Sequence, residues 1–311
     1  MIVLVKGTML VKGTMVAKGT AVNRVSLLDP LVTGSARRPV PATAPYALGA
    51  ALAVATVVAA VPTAFVDGVL LGPAVMRGSA RGTALVMLVV AAPLLVASMV
   101  GSRHGSGRAC LVWLGTVGYL VYNAVMLILG TPFNALFLVY ESVLGLGIAS
   151  LVSLLTSLDV AGLGARMRAA PARAVAGWIG FVAVANALVW LRGIVPALGK
   201  PASAAFLDGT GLTTLPTYVQ DLAFWLPLAA VIAVWLWQRR PWGHVLAAGL
   251  LVMWFVEAVG VAVDQWTGSR ADPTSSVATL GGAYLFAAVA VLSVVPLVAM
   301  LRSVPSRGDV T

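Results

Sequence analysis

Glu141, Arg192, Asp221, Glu257 and Asp264 stand out chemically, because each interrupts an apolar run long enough to cross a bilayer. An ionisable group in the middle of a membrane helix costs roughly 2.5–3.5 kcal/mol on the insertion scale, so each requires a reason. Asn123 and Asn186 are uncharged polar groups in similar runs. Counted from the expected outer ends of their helices, Glu141, Arg192, Asp221, Glu257 and Asn123 all fall about 6–12 Å below one boundary at 1.5 Å per residue. This predicts a polar layer in the outer leaflet. Its acids are Glu141, Asp221 and Glu257, and its base is Arg192. One ion pair leaves the remaining acids to be protonated, wetted from outside, or met by a bound cation.

Local spacing adds aromatic groups to this layer. Tyr119, Tyr122 and Asn123 follow at i, i+3 and i+4, and so share one helix face. Trp254, Glu257 and Asp264 share another, as do Asp221 and Trp225. Acids beside aromatic rings suit a cation, by charge attraction together with cation–π contact. The expected binding site therefore comprises Glu141, Glu257, Arg192, Asp221, Asn123 and Tyr122. Plainer readings stand beside it. Asp221 and Asp264 lie close enough to helix ends to be solvated, and Asp221 suits the positive N-terminus of its helix. Glu257 and Arg192 form a structural interhelical pair in the same view, and the aromatic residues anchor the interface.

The elements that must position these residues are membrane helices. The 311-residue chain is 60% hydrophobic and only 10% charged, with a mean hydropathy of +0.99. An apolar excess of this size exceeds what one globular core hides, so lipid is the expected solvent and partner of much of the surface. Runs of about 20 apolar residues place spans near 45–66, 84–101, 110–130, 135–156, 174–198, 217–238, 242–265 and 276–301. The runs lack the alternation of a barrel, so the predicted fold is an all-α polytopic bundle of about eight spans. Residues 67–83 do not resolve in this way. Their apolar stretch, Val69 to Met76, is broken by Gly72 and Pro73, and reads as interfacial, re-entrant or part of the first span. Gly145, Gly147, Gly281 and Gly282 are expected to allow close helix packing.

The net charge of +10 does not point to nucleic acid, because the bases gather at the ends of apolar runs. Lys6, Lys12, Lys18, Arg24, Arg37, Arg38, Arg103, Arg108, Arg166, Arg168, Arg173, Arg239, Arg240, Arg302 and Arg307 fall on one side of an eight-span layout, against Arg77, Arg81, Lys200 and Arg270 on the other. The positive-inside asymmetry puts both termini in the cytoplasm. Residues 1–44, with Lys-Gly-Thr repeated at 6–8, 12–14 and 18–20, read as a disordered basic tail or as sequence upstream of the true start, without a cleavable signal. Residues 45–302 are the membrane domain and 303–311 a short C-terminal tail. The single cysteine excludes an intrachain disulfide, and with two histidines a bis-histidine haem within the membrane is not expected.

The segments Gly118–Asn123 and Asn134–Glu141, with Asp221-Leu222-Ala223 and Arg239-Arg240-Pro241-Trp242-Gly243, resemble a pattern in uncharacterised bacterial multi-pass membrane proteins. The resemblance covers about half of the chain. It implies a bacterial cytoplasmic membrane location and no particular activity, and it directs attention to Tyr122, Asn123, Asn134, Glu141 and Asp221.

No His-Glu-x-x-His, Gly-x-Ser-x-Gly or phosphate-loop pattern occurs, and the loops are poor in acids, so catalytic residues, metal ligands and cofactors are not expected. The leading expectation is a transporter-like protein handling a small solute or cation through an outward acidic pocket. The alternative is a non-transporting sensor, assembly factor or complex subunit whose charges hold helices together.

Overall fold

The computed structural model describes residues 43–200 and 204–304. The tail expected over 1–44 therefore lies outside the described residues, apart from Thr43 and Ala44, and so does most of 303–311. The described residues are helical, without strands. Among the described residues, eight helices are long and apolar enough to span a membrane: α1 (Thr43–Phe65), α2 (Ala74–Arg103), α3 (Gly107–Leu129), α4 (Phe137–Ser157), α5 (Ala172–Ala197), α6 (Pro216–Trp237), α7 (Pro241–Ala271) and α8 (Leu280–Arg302). A short helix, Val160–Arg166, joins α4 to α5.

The helix limits follow local chemistry. Ser106 and Thr279 accept hydrogen bonds from the amides of Ala109 and Gly282, capping α3 and α8. Pro216 and Pro241 occupy first-turn positions, where a missing N–H costs nothing. Two π turns, Met87–Ala91 in α2 and Asp221–Trp225 in α6, each end two residues before a proline, Pro93 and Pro227. A proline cannot donate to the carbonyl four residues back and its ring crowds that carbonyl. A wider turn relieves the conflict without breaking the helix.

α3 and α7 form the centre. In their apolar stretches 78% and 61% of residues are buried, against 17% in α8 and 22% in α5. α7 packs on α2, α3, α6 and α8, while α1 pairs with α4 and α5 with α6. The connections gather at two ends. Gly72 meets Pro132 and Gly211 meets Pro73, which brings together the turns after α1, α3 and α5. At the opposite end Arg108 Nε donates to the Val304 carbonyl and Arg239 Nη1 to the Arg168 carbonyl.

Two boundaries correct the hydropathy reading. α2 starts at Ala74 rather than at 84, so the uncertain 67–83 segment divides into a turn and the first turns of a span. Gly78, Gly82, Arg77 and Arg81 lower its hydropathy, but the glycines are there for contact. A Cβ at Gly82 would lie 2.7 Å from Asp264 Cα, and one at Gly78 would lie 2.9 Å from Gly268 Cα. The small-xxx-small spacing lets α2 and α7 touch along their backbones. The arginines are held at the adjoining turn, Arg81 by Asp67 at 2.5 Å and Arg77 by the Gly72 carbonyl. α7 also runs on to Ala271 instead of ending at 265. Asp264 is therefore a helix-interior residue and not a terminus.

Candidate functional site

The site is built from the middle outward on α3. Trp113, Tyr119, Leu120, Tyr122 and Asn123 are all buried, because this helix meets neighbours on nearly every side. Asn123 Nδ2 donates to Glu257 Oε2 on α7 at 2.6 Å, and to its own helix at the Tyr119 carbonyl at 3.2 Å. A carboxylate and an amide from two central helices thus meet directly. Tyr122, one turn along the same face from Tyr119, stands within electrostatic range of both Glu257 and Asp221.

Asp221 opens the π turn of α6 and is only 6% exposed. Trp190 Nε1 of α5 donates to its Oδ2 at 2.9 Å, with Tyr122 and Asn186 beside the same carboxylate. The rings around it are arranged in contact. Trp190 and Tyr218 have centroids 4.7 Å apart, Tyr218 and Phe206 5.1 Å, and Tyr122 and Trp225 6.0 Å. The aromatic surround expected for the acids is present at Asp221, but an indole N–H occupies one oxygen of the carboxylate.

The third acid is Asp264, two helical turns from Glu257 on the same face of α7. It borders a cavity of about 60 Å³ lined also by Ser79, Thr83, Thr131, Leu212 and Pro216. The cavity lies at the end of the bundle that carries the turns after α1, α3 and α5. Thr131 Oγ1 donates to the Leu127 carbonyl at 2.7 Å, and Ser79 Oγ to the Asp264 carbonyl at 3.3 Å. Among the described residues no lysine or arginine is in ion-pair contact with Asp221, Glu257 or Asp264. The three acids do not converge on one point either, since no group of three or more acidic, histidine or cysteine side chains there is placed to hold a metal ion. They are strung out across the α3–α6–α7 core.

Glu141 and Arg192 are not part of this arrangement. Both are exposed at the surface of the bundle. On α4 the inward residue is Tyr140, 1% exposed, whose hydroxyl shares a 2.7 Å hydrogen bond with Thr63 on α1. Glu141 follows one residue later and is rotated about 100° away. On α5 the inward residue is Trp190, and Arg192 two positions later is turned about 200° from it. The expected site of six residues is corrected accordingly: Asn123 meets Glu257 and Tyr122 stands beside Asp221, while Glu141 and Arg192 face outward. The Glu257–Arg192 pair does not form. Glu257 is partnered by an amide instead.

Asp264, Tyr119, Trp190 and Asn186 lie outside the six residues expected from the sequence. Asp264 was discounted by a helix limit drawn too early. The signal that could have recovered it is the Gly78–Gly82 spacing, which marks α2 as a close partner for some helix and so lengthens the buried seam. No protein-family model, curated protein or solved structure matches the chain. The functional reading rests on the site alone.

Proposed function

We propose that the protein is a transporter-like integral membrane protein of the bacterial cytoplasmic membrane, one that handles a proton or small cation through the acids of its α3–α6–α7 core. The observation that carries this reading is the Glu257–Asn123 pair, a half-buried carboxyl group on a central helix of an apolar bundle, with an amide and, among the described residues, no base in ion-pair contact. The charge of such a group has to be met by a proton, a cation or water. The cavity at Asp264 supports a small cargo. Its 60 Å³ suits a water or a bare ion, well below the roughly 300–1,000 Å³ of a pocket for an organic molecule. The bases at the α2–α3, α4–α5 and α6–α7 turns support cytoplasmic termini, with the Asp264 end of the bundle outside.

The test is flux in sealed vesicles containing the purified chain. A potassium diffusion potential should drive uptake of protons or sodium, read by a pH-sensitive dye and by isotope, and Glu257→Gln should abolish it. Vesicles that take up neither ion above the protein-free rate would remove the transport reading. The second reading, a non-transporting component with acids as interhelical glue, draws support from the Trp190–Asp221 and Asn123–Glu257 bonds themselves. It predicts no flux and a loss of folded protein on Glu257→Gln.

A further inference from the structure

Glu257, Gly260 and Asp264 follow at i, i+3 and i+7, forming one stripe on α7. Tyr119 of α3 lies over the middle of that stripe. A Cβ at position 260 would come within 3.2 Å of the Tyr119 hydroxyl oxygen, so the glycine provides the room in which that hydroxyl sits. The Tyr119 side chain is fully buried, and its hydroxyl makes no hydrogen bond among the described residues. Both Glu257 and Asp264 act on it electrostatically. Along the axis Gly260 is about 4.5 Å from Glu257 and about 6 Å from Asp264, whereas the two acids are about 10.5 Å apart. Direct exchange between the carboxyls is too long. A hydroxyl placed between them divides the distance into two steps that side-chain reach, or one water, completes.

The two ends of this stripe differ in a way that gives it direction. Asp264 borders the cavity with the hydroxyls of Ser79, Thr83 and Thr131, at the loop-rich end of the bundle. Glu257 is bonded to Asn123 deeper in the core. The other titratable groups that bear on Glu257 are Tyr122 of α3 and Asp221 of α6. On α2, Arg81 is engaged by Asp67.

We propose that Asp264, Tyr119 and Glu257 form a proton relay connecting the cavity to the Glu257–Asn123 pair. This deepens the proposed function, on which it rests, by naming the cargo as a proton and giving its route. In one passage the carboxyl of Asp264 gives its proton to the Tyr119 oxygen while the hydroxyl's own proton passes to the Glu257 carboxylate. The O–H bonds on Asp264 and Tyr119 break, and new ones form on Tyr119 and Glu257. Tyr119 ends neutral with one proton, and the negative charge has moved from Glu257 to Asp264. Rotation of the hydroxyl about its C–O bond resets the relay, and a proton from the cavity recharges Asp264.

Infrared spectroscopy of the full chain in lipid nanodiscs tests the relay without depending on transport. The carbonyl bands of protonated Glu257 and Asp264 are assigned by their loss in Glu257→Gln and Asp264→Asn, and their hydrogen–deuterium exchange is followed after transfer to D₂O. Tyr119→Phe keeps the ring and removes only the relay oxygen. It is expected to slow exchange at Glu257 at least about tenfold while leaving Asp264 at its wild-type rate. Gly260→Ala, which displaces the hydroxyl, is expected to slow Glu257 in the same sense but less. Wild-type exchange at Glu257 in either Tyr119→Phe or Asp264→Asn would overturn the relay, as would the absence of a Glu257 band at every pH. A relay that exchanges as expected in a protein without vesicle flux would refute the transport reading alone. Flux together with exchange that ignores Tyr119→Phe would refute the relay alone.

Discussion

Glu257 with Asn123 and Glu141 with Arg192 make an instructive contrast. All four interrupt apolar helices, and all four were expected in one polar layer. Glu257 and Asn123 sit on the two most buried helices and meet at 2.6 Å, whereas Glu141 and Arg192 sit on rim helices and face outward. What separates them is rotation about the helix axis. Tyr140 and Trp190, next to Glu141 and two residues before Arg192, took the inward positions because they have inward partners, the Thr63 hydroxyl and the Asp221 carboxylate. Each helix directs one strongly bonded polar group inward, and its neighbours in sequence are carried out by the helical repeat. A charged residue near a membrane surface can be solvated by headgroups and water, so Glu141 and Arg192 require no protein partner there.

The contrast can be broken most forcefully at the glycines. Gly82→Leu places a side chain against the backbone of Asp264, and the α2–α7 seam has to open. Thermal unfolding in detergent should show a loss of more than about 3 kcal/mol, or no folded protein. Gly145→Leu on the outward face, where a Cβ would meet nothing within 4 Å, should leave the melting temperature unchanged. Equal damage from both would mean that the buried and outward faces have been assigned wrongly.

Asn123→Ala comes next. It leaves the half-buried Glu257 carboxyl without its amide partner, at an expected cost of about 1–3 kcal/mol. Glu141→Ala, measured in the same way, should stay within about 0.5 kcal/mol. Trp190→Phe removes the indole N–H from Asp221 and keeps a ring against Tyr218. Its expected cost is about 0.5–1.5 kcal/mol, and it should vanish in an Asp221→Ala background, which removes the acceptor, if the bond carries the effect. The smallest effect is expected for Arg192→Gln, which should alter neither stability nor vesicle flux. A loss of flux there would restore Arg192 to the site. Cysteines placed singly at 141, 192 and 257 in a Cys110→Ala background sharpen the same division, with a lipid-soluble maleimide labelling 141 and 192 and sparing 257.

Much of the fold was legible before any coordinates. Runs of apolar residues predict eight helices, and the described residues contain eight long and apolar enough to span a membrane, six of them with limits close to those expected. The exceptions have definite causes. The first turns of α2 carry Gly78, Gly82, Arg77 and Arg81, which reduce hydropathy, while the two glycines make a close backbone contact with α7. The last turns of α7 carry the polar residues Asp264, Gln265, Thr267, Ser269 and Arg270, and α2 meets Asp264 and Thr267 at Gly78 and Gly82. A hydropathy average takes no account of a neighbouring helix, and it truncates both. The packing role expected of Gly145 and Gly147 divides in the same manner. Gly147 packs against Val121, and Gly145 points into open space.

The sequence by itself determined that the chain is helical, how many apolar spans it has, and that Glu141, Arg192, Asp221 and Glu257 interrupt them. These depend on composition and rise per residue, which are properties of one helix at a time. Only the tertiary structure decided which side of each helix faces inward, and so which acids share a core. That choice depends on contacts between residues far apart in the chain: Gly82 against Asp264, Tyr119 over Gly260, Asn123 on Glu257. Rotation of a uniformly apolar helix changes its own lipid exposure little, so its azimuth is set by the helices around it.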